Sequence, residues 1–131
     1  MLAVISPAKK LDFETSTRVR KHTLPDFLGE AENLVRDLRK RSANELQALM
    51  GISTKLAELN RDRYDKWTPK VSPQNSRQAL MAFMGDVYIG LDACSLSSRE
   101  LDYAQSHLRI LSGLYGILRP LDLVQPYRLE M

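Results

Sequence analysis

The stretch that decides the fold is Ser42–Tyr64, which reads SANELQALMGISTKLAELNRDRY. Ser42, followed three residues later by Glu45, forms a capping box, a pattern typical of a helix start. Leu46 and Leu49 then give this first helix an apolar side. The beginning of the stretch therefore predicts a short amphipathic helix.

A tight turn and a second helix follow directly. Gly51 predicts the end of the first helix, because glycine adopts positive φ just past a helix at little cost. Ser53 is a favourable N-cap for the next helix. Leu56, Ala57 and Tyr64 keep helical spacing, and Ala57 is small where the two helices must approach each other. The sequence thus predicts a helical hairpin over residues 42–64.

The start of the second helix has the features of a phosphate site. Backbone N–H groups near Ser53 and Thr54 lack helical partners, and the helix dipole favours an anion there. Lys55 adds a full positive charge, and Arg61 and Arg63 follow along the helix. Such a site can hold a nucleic-acid backbone without contacts to the bases.

The hairpin is similar to a helix-hairpin-helix, the motif that grips nucleic-acid backbones. Its turn is usually Gly-apolar-Gly, whereas here Gly51 is followed by Ile52 and Ser53. An ordinary helical hairpin with solvated basic residues remains the alternative. The residues that we expect to contact DNA are Gly51, Ser53, Thr54, Lys55, Arg61 and Arg63, then Arg39, Lys40 and Arg41, and finally Lys9 and Lys10.

Composition and charge are those of a globular protein with a basic first half. The 131 residues, 44% apolar and 27% charged, predict a single domain spanning 1–131. The net charge is +3; residues 1–70 hold 14 Lys or Arg against 10 Asp or Glu, and residues 71–131 hold 5 against 6. No apolar run approaches the ~18 residues of a membrane span. We therefore expect a cytoplasmic protein whose positive field belongs to the half with the hairpin.

The few Cys, His and Trp residues lie far apart in the sequence, which favours structural roles over catalytic or metal-binding ones. Cys94 is the single cysteine, which excludes an internal disulfide, and we expect a buried or inert thiol. His22 and His107 are too far apart to give metal-ligand spacing, so we predict no metal site and no cofactor. Trp67 follows the hairpin and is interpreted as a packing residue that closes the helical unit.

Three apolar runs predict strands. Leu2–Ile5 reads as a buried strand, residues 80–84 as a central strand, and Arg109–Ser112 as a third. These strands have few partners and would leave bare edges. We expect either self-association through those edges or completion of an incomplete fold by a missing half.

Other helix starts are marked by capping residues. Thr23–Asp26 predicts the start of a strongly amphipathic helix that reaches Leu38, and Ser72–Pro73 predicts another with proline at its first position. Residues 86–92 form a short helix or turn, and Ser97–Glu100 is a second capping box. The predicted fold class is mixed α/β, with a small central sheet, packed helices and the inserted hairpin.

A second hypothesis is an enzyme or small-molecule binder that acts on an anionic or phosphorylated substrate. Loops 6–10, 85–88 and 113–122 follow predicted strands and could meet there. Arg119 and Asp122 are also close enough in sequence to form only a structural ion pair. The residues of this possible anion site are Ser6, Lys9, Asp86, Tyr88, Arg119 and Asp122.

Several segments together resemble the YaaA peroxide-stress protein family. They are Ile5–Lys9, Ile52–Ala57, Gly85–Tyr88 with Gly90–Leu91, Leu111–Asp122 and Gln125–Met131. The resemblance runs through the whole chain in order. Family members are about twice as long, so the chain looks like their N-terminal half.

The resemblance implies a cytoplasmic bacterial protein that protects DNA and proteins during peroxide stress and is linked to lower free intracellular iron. It also implies an α/β fold with a basic cleft and a helix-hairpin-helix for double-stranded or distorted DNA. No established catalytic reaction comes with it, so an enzymatic activity stays uncertain. Direct iron sequestration is a third reading, which no His/Cys cluster in the sequence favours.

Overall fold

The fold is mixed α/β, as the sequence predicts. The computed structural model describes residues 1–15 and 17–129; Glu130 and Met131, the end of the last matching run, lie outside them. The described helices are α1 (Leu28–Arg39), α2 (Ala43–Met50), α3 (Thr54–Lys66), α4 (Ala79–Ala82), α5 (Asp86–Leu91) and α6 (Ser98–His107). The described strands are β1 (Ala3–Ile5), β2 (Arg77–Gln78), β3 (Leu108–Ser112), β4 (Gly116–Leu118) and β5 (Leu123–Val124).

The larger sheet is mixed and has the order β1-β3-β4. β1 pairs with β3 in parallel, with Val4 opposite Arg109, whereas β3 pairs with β4 in antiparallel fashion, with Leu111 opposite Ile117. A second, antiparallel ribbon joins β2 to β5. The parallel β1–β3 pair requires a long crossover, and the helices of the chain lie within that crossover.

The two faces of the larger sheet differ in burial. Ile110 and Leu118, which are paired partners, are fully buried in the core. Side chains alternate between faces, so Val4 and Ile117 point the other way, and they are 55% and 48% exposed. The prediction of a strand at Leu2–Ile5 is confirmed, but the prediction that it is buried is wrong, because its outward face meets solvent.

The central strand predicted over residues 80–84 is wrong, because Ala79–Ala82 is a short helix. Its first N–H groups bond to the neighbouring segment, from Ala79 to the carbonyl of Asp122 at 2.8 Å and from Leu80 to that of Pro120 at 3.0 Å. Every residue of α4 is buried. A run that is apolar on all sides carries no periodicity, so its composition does not distinguish a buried helix from a buried strand.

The helix predicted to begin at Ser72–Pro73 is also wrong. The Ser72 N–H donates to Asn75 Oδ1 at 3.1 Å, and the Asn75 N–H donates back to the Ser72 carbonyl at 3.1 Å. The Ser76 hydroxyl adds a 2.5 Å bond to the same carbonyl. These local side-chain bonds close a turn that leads into β2, in competition with a helix.

The predicted helix after Thr23 exists, but it begins later. α1 starts at Leu28 after Phe27, without a side-chain cap. Thr23 instead donates its hydroxyl to Asp122 Oδ1 at 2.5 Å and its N–H to the carbonyl of Leu121 at 2.9 Å. The Thr23 side chain, which the sequence pattern assigns to helix capping, therefore bonds to the distant Asp122 instead.

The other caps are confirmed. Ser42 and Ser97 each form a complete capping box, with Glu45 and Glu100 respectively. The short helix predicted after Gly85 is α5. These predictions succeed because every group that they involve lies within four residues along the chain.

Aromatic residues tie the helical unit to the sheet. Trp67 is buried, and its indole N–H donates to the hydroxyl of Tyr115 at 2.9 Å. The Gln125 N–H donates to the same hydroxyl at 3.1 Å. The packing role predicted for Trp67 is confirmed. Cys94 is exposed, so of the two alternatives expected for it, a buried thiol is wrong and an inert thiol stays a prediction.

Candidate nucleic-acid interface

The turn between α2 and α3 is fixed by its backbone and by one buried side chain. Gly51 has φ 64° and ψ 39°, and its N–H donates to the carbonyl of Gln47 at 2.9 Å. Ile52, the next residue, is 7% exposed and anchors the turn in the core. The chain thus reverses within three residues, with the glycine where a left-handed conformation requires it.

Ser53 does not need to be a glycine. Its φ is −67° and its ψ is 160°, an extended conformation that any residue adopts readily. Its hydroxyl accepts a hydrogen bond from the N–H of Leu56 at 3.2 Å, as an N-cap does. The departure from Gly-apolar-Gly is therefore compatible with a tight hairpin.

The tip of the hairpin faces solvent. Gly51, Ser53, Thr54 and Lys55 are all exposed. Within the described part of the chain, the N–H groups of Thr54 and Lys55 have no hydrogen-bond acceptor. Two backbone donors and one ammonium group are consequently available at the positive end of α3.

Arg61 joins this surface to the connection between α1 and α2. Its Nη1 donates to the carbonyl of Arg41 at 2.6 Å, although both side chains remain exposed. Lys40, beside Arg41, is exposed too. This contact holds Arg41, which follows α1, against the middle of α3. An extended cationic surface requires such an arrangement.

Arg39 is engaged elsewhere. Its Nε donates to the carbonyl of Tyr64 at 2.7 Å, and its Nη2 bonds to the carbonyl of Trp67. Both carbonyls belong to the C-terminal end of α3, where a cation is favourable. The structure therefore gives Arg39 a role in holding α1 against α3.

Arg63 is separated from the hairpin tip. It lies eight residues after Lys55, roughly 12 Å further along the helix axis and rotated by about 80°. Burial lowers the pKa of Arg63, and the positive charge of Arg128 lowers it further. The guanidinium lines a cleft beside α3 instead of the surface that holds Lys55.

Lys9 and Lys10 are exposed on the loop that follows β1. The carbonyl of Lys10 accepts a hydrogen bond from the Met84 N–H at 2.9 Å, so this loop is attached to the segment between α4 and α5. The two lysines thus belong to the sheet side of the molecule, on elements other than the hairpin.

Two of the three loops of the possible anion site meet. The Tyr88 hydroxyl donates to the carbonyl of Ser6 at 2.5 Å. A Cβ on Gly85 would lie 3.2 Å from the Cβ of Ala8, so the two loops approach closely at this glycine. Asp86 begins α5 directly afterwards. Burial raises the pKa of Tyr88 to about 12, so its hydroxyl is a donor at neutral pH.

Arg119 and Asp122 have other partners. Asp122 is buried and accepts hydrogen bonds from the Arg119 Nε at 3.2 Å and the Thr23 hydroxyl at 2.5 Å. Arg119 Nη2 also donates to the carbonyl of Leu24 at 2.8 Å and pairs with Asp26. Of the two roles that the sequence left open, the ion pair is the one that the structure contains.

A cleft of about 640 Å³ lies beside α3, and no pattern in the sequence predicts it. Its wall includes Asp12, whose Oδ1 accepts the N–H groups of Glu14 and Thr15, both at 3.0 Å. Asp12 also pairs with Arg77, which lies 65 residues away. In the sequence, Asp12 could have been recognised as a turn-forming residue. Its neighbours along the chain do not indicate that it lines a cleft.

Within residues 1–15 and 17–129, no group of three or more His, Cys, Asp or Glu side chains is arranged to hold a metal ion. None of the described helices combines the length and the apolar character needed to cross a bilayer.

The fold and the exposed hairpin define a mixed α/β protein with a basic helical hairpin on its surface. The family described as "Peroxide stress protein YaaA" matches residues 1–131, and the chain belongs to this family.

The relatives include proteins named UPF0246 from Paraburkholderia phytofirmans, Paraburkholderia xenovorans and Burkholderia cenocepacia, which are 58%, 56% and 57% identical over 131 residues. Each match covers all of this chain and 50% of the relative. The chain therefore spans about half the length of these curated relatives.

Proposed function

We propose that the α2–α3 hairpin is a helix-hairpin-helix that binds the phosphate backbone of double-stranded or distorted DNA without sequence specificity. Thr54 and Lys55 supply backbone N–H donors, and the Lys55 and Arg61 side chains supply charge. Lys40 and Arg41 extend the same surface. Contacts of this kind position a protein on DNA and carry no base readout.

The exposed tip of the hairpin is the observation that carries this proposal. Ile52 is anchored in the core, yet the residues on either side of it face solvent together with two N–H donors. A helix start of this geometry is suited to a phosphate group. The excess of basic residues in the first half of the chain supports the same reading.

Membership of a peroxide stress family supports a role in protecting DNA during oxidative stress, and we place this role in the cytoplasm. A link to limiting free iron is part of the same proposal. Equilibrium dialysis of the 131-residue chain against Fe(II) tests whether the chain acts on iron by binding it. Retained iron would support sequestration, and none retained would exclude it for these residues.

The test of DNA binding is fluorescence anisotropy on a mixed-sequence duplex over a range of salt concentrations. The double variant Lys55→Glu/Arg61→Glu should abolish measurable binding. The milder Lys55→Ala should reduce the slope of log K against log salt by about 0.9, which corresponds to one lost phosphate contact. The full-length Paraburkholderia phytofirmans relative should be measured in parallel.

Lys70→Glu provides a matched control, because Lys70 is exposed and follows the opposite end of α3. It changes the net charge by the same amount per site as Lys55→Glu and should leave the affinity within about twofold. Unchanged affinity in a folded Lys55→Glu/Arg61→Glu variant would reject the hairpin as the DNA-binding element. Equal losses in Lys55→Glu and Lys70→Glu would also reject it, since net charge would then explain binding.

A second candidate function is favoured by the contact between loops 6–10 and 85–88. The Tyr88–Ser6 hydrogen bond and the close approach of Gly85 to Ala8 hold these loops together at the end of β1. Lys9 would supply charge there for an anionic or phosphorylated substrate, with Asp86 as a possible base. A thermal-shift screen of nucleoside phosphates with the wild type and Lys9→Ala tests this; the absence of any shift that depends on Lys9 would remove it.

A further inference from the structure

The cleft beside α3 has an apolar wall and a partly buried arginine that forms no ion pair with any described residue. Phe13, Trp67 and Pro126 contribute the apolar part, and Arg63 reaches in from α3. The volume of about 640 Å³ lies within the range of small-molecule sites, which are mostly apolar with a few placed polar groups.

Arg63 is partly buried and has no carboxylate partner among residues 1–15 and 17–129. Its hydrogen bond, from Nη1 to the Asn60 side-chain oxygen, is long at 3.4 Å. Asn60 is itself buried, and its Nδ2 donates to the carbonyl of Leu56 at 2.8 Å. In the described part of the chain, Arg63 makes no ion pair, so its charge is not neutralised there.

The acids around the cleft are mostly committed to other partners. Asp12 binds two backbone N–H groups and pairs with Arg77 at 3.6 Å. Asp62 pairs with Lys66 at 3.0 Å. Glu14, also in the lining, is exposed at the surface. Of the two cations in the lining, Lys66 is paired with Asp62, so Arg63 is the one that forms no ion pair with a described residue.

We propose that this cleft binds a ligand with a phosphate group and a flat apolar part, of the kind that a nucleotide provides. The phosphate contacts the Arg63 guanidinium, whose planar donors match phosphate oxygens in pairs. The flat part lies against Phe13 and Pro126. A doubly charged phosphate gains more from the Arg63 charge than a singly charged carboxylate does.

The test is isothermal titration of the 131-residue chain with adenosine monophosphate, adenosine, inorganic phosphate and an adenine dinucleotide, each to about 5 mM, which detects even weak sites. Adenosine monophosphate should bind at least about tenfold more tightly than adenosine or phosphate alone, since only it uses both parts of the cleft. Arg63→Gln should weaken that binding at least tenfold, and Arg63→Lys, which keeps the charge, should weaken it less. Arg99→Gln, at an exposed arginine on α6, should have no effect.

The ligand-free melting temperature separates a binding role from a structural one. Arg63→Gln removes a partly buried cation that has no carboxylate partner within the described residues, so the variant should melt at the same temperature as the wild type or higher. A large drop in melting temperature would assign Arg63 a structural role and overturn the proposal.

Other outcomes are equally decisive. No binding of adenosine monophosphate or of the dinucleotide, or equal losses in Arg63→Gln and Arg99→Gln, would overturn the site. Tighter Arg63-dependent binding of the dinucleotide would support it and identify a nucleic-acid strand as the source of the phosphate. Lys55→Glu should leave the titration unchanged, so this result is independent of the hairpin test.

Discussion

Arg39 of α1 donates its Nε–H to the backbone carbonyl of Tyr64 in α3, at 2.7 Å. The same guanidinium also reaches the carbonyl of Trp67, one residue past the helix. A residue from the basic run 36–41 thus satisfies carbonyls that the helix leaves open at its end. Arg39 therefore stabilises the fold, whereas the next two basic residues, Lys40 and Arg41, are exposed.

Arg39→Ala should therefore destabilise the protein. Two hydrogen bonds from a charged donor are lost, and carbonyls at the end of α3 lose their partner, so we expect a decrease of about 1 to 3 kcal/mol in the free energy of unfolding. Urea denaturation at neutral pH measures it. Lys40→Ala, at an exposed neighbour, should change stability by less than about 0.5 kcal/mol, and equal effects of the two variants would contradict the assignment.

The two turn residues of the hairpin should respond to substitution in different ways. Gly51→Ala places a Cβ in a left-handed conformation and should cost about 1 kcal/mol. Ser53→Gly should cost only a few tenths, whereas Ser53→Ala removes the cap on Leu56 and should cost about 1 kcal/mol. Thermal unfolding of the three variants checks this order. A stabilising Ser53→Gly would show that a second glycine is the better residue after all.

Because of Asp12, the free energy of unfolding should depend on pH in the acidic range. Hydrogen bonds from the Thr15 hydroxyl and from the N–H groups of Thr15 and Glu14 lower the pKa of Asp12 from 3.8 to about 2. A lowered pKa means that this contribution is fully present above about pH 4 and is lost as the pH falls towards 2.

Asp12→Asn isolates this contribution. The variant should be less stable than the wild type at pH 7, and the difference should shrink as the pH falls from 4 to 2. Urea denaturation at pH 7 and at pH 3 provides the comparison. A difference that stays constant with pH would mean that the Asp12 carboxylate is not favoured by the fold.

We propose that the chain self-associates through the outward face and free edge of β1. Leu2 and Val4 are 54% and 55% exposed there, and residues 2–5 contain no charge or proline to discourage pairing with a second copy. Sedimentation velocity over a range of concentrations should show dimers that Val4→Lys removes. A wild type that stays monomeric at about 100 μM would exclude this association.

The sequence alone determined the parts of the molecule whose causes are local. The capping boxes at Ser42 and Ser97, the end of α2 at Gly51 and the cap at Ser53 each depend on groups within four residues, so the pattern specifies them wherever the segment lies. The helical hairpin could therefore be predicted, as could the family, whose residues stand in order along the chain; the exposure of the hairpin tip is a result of the tertiary structure.

Only the tertiary structure decided what depends on partners far along the chain. The Thr23 hydroxyl donates to Asp122, 99 residues away, and the Arg39 guanidinium donates to a backbone carbonyl of α3. The run 79–82 is a helix whose first two N–H groups donate to carbonyls of the segment 120–122. The hydrogen bonds of a buried polar group and the conformation of a buried apolar run depend on the segment that packs against them and removes them from water. The packing of distant segments decides which segment that is.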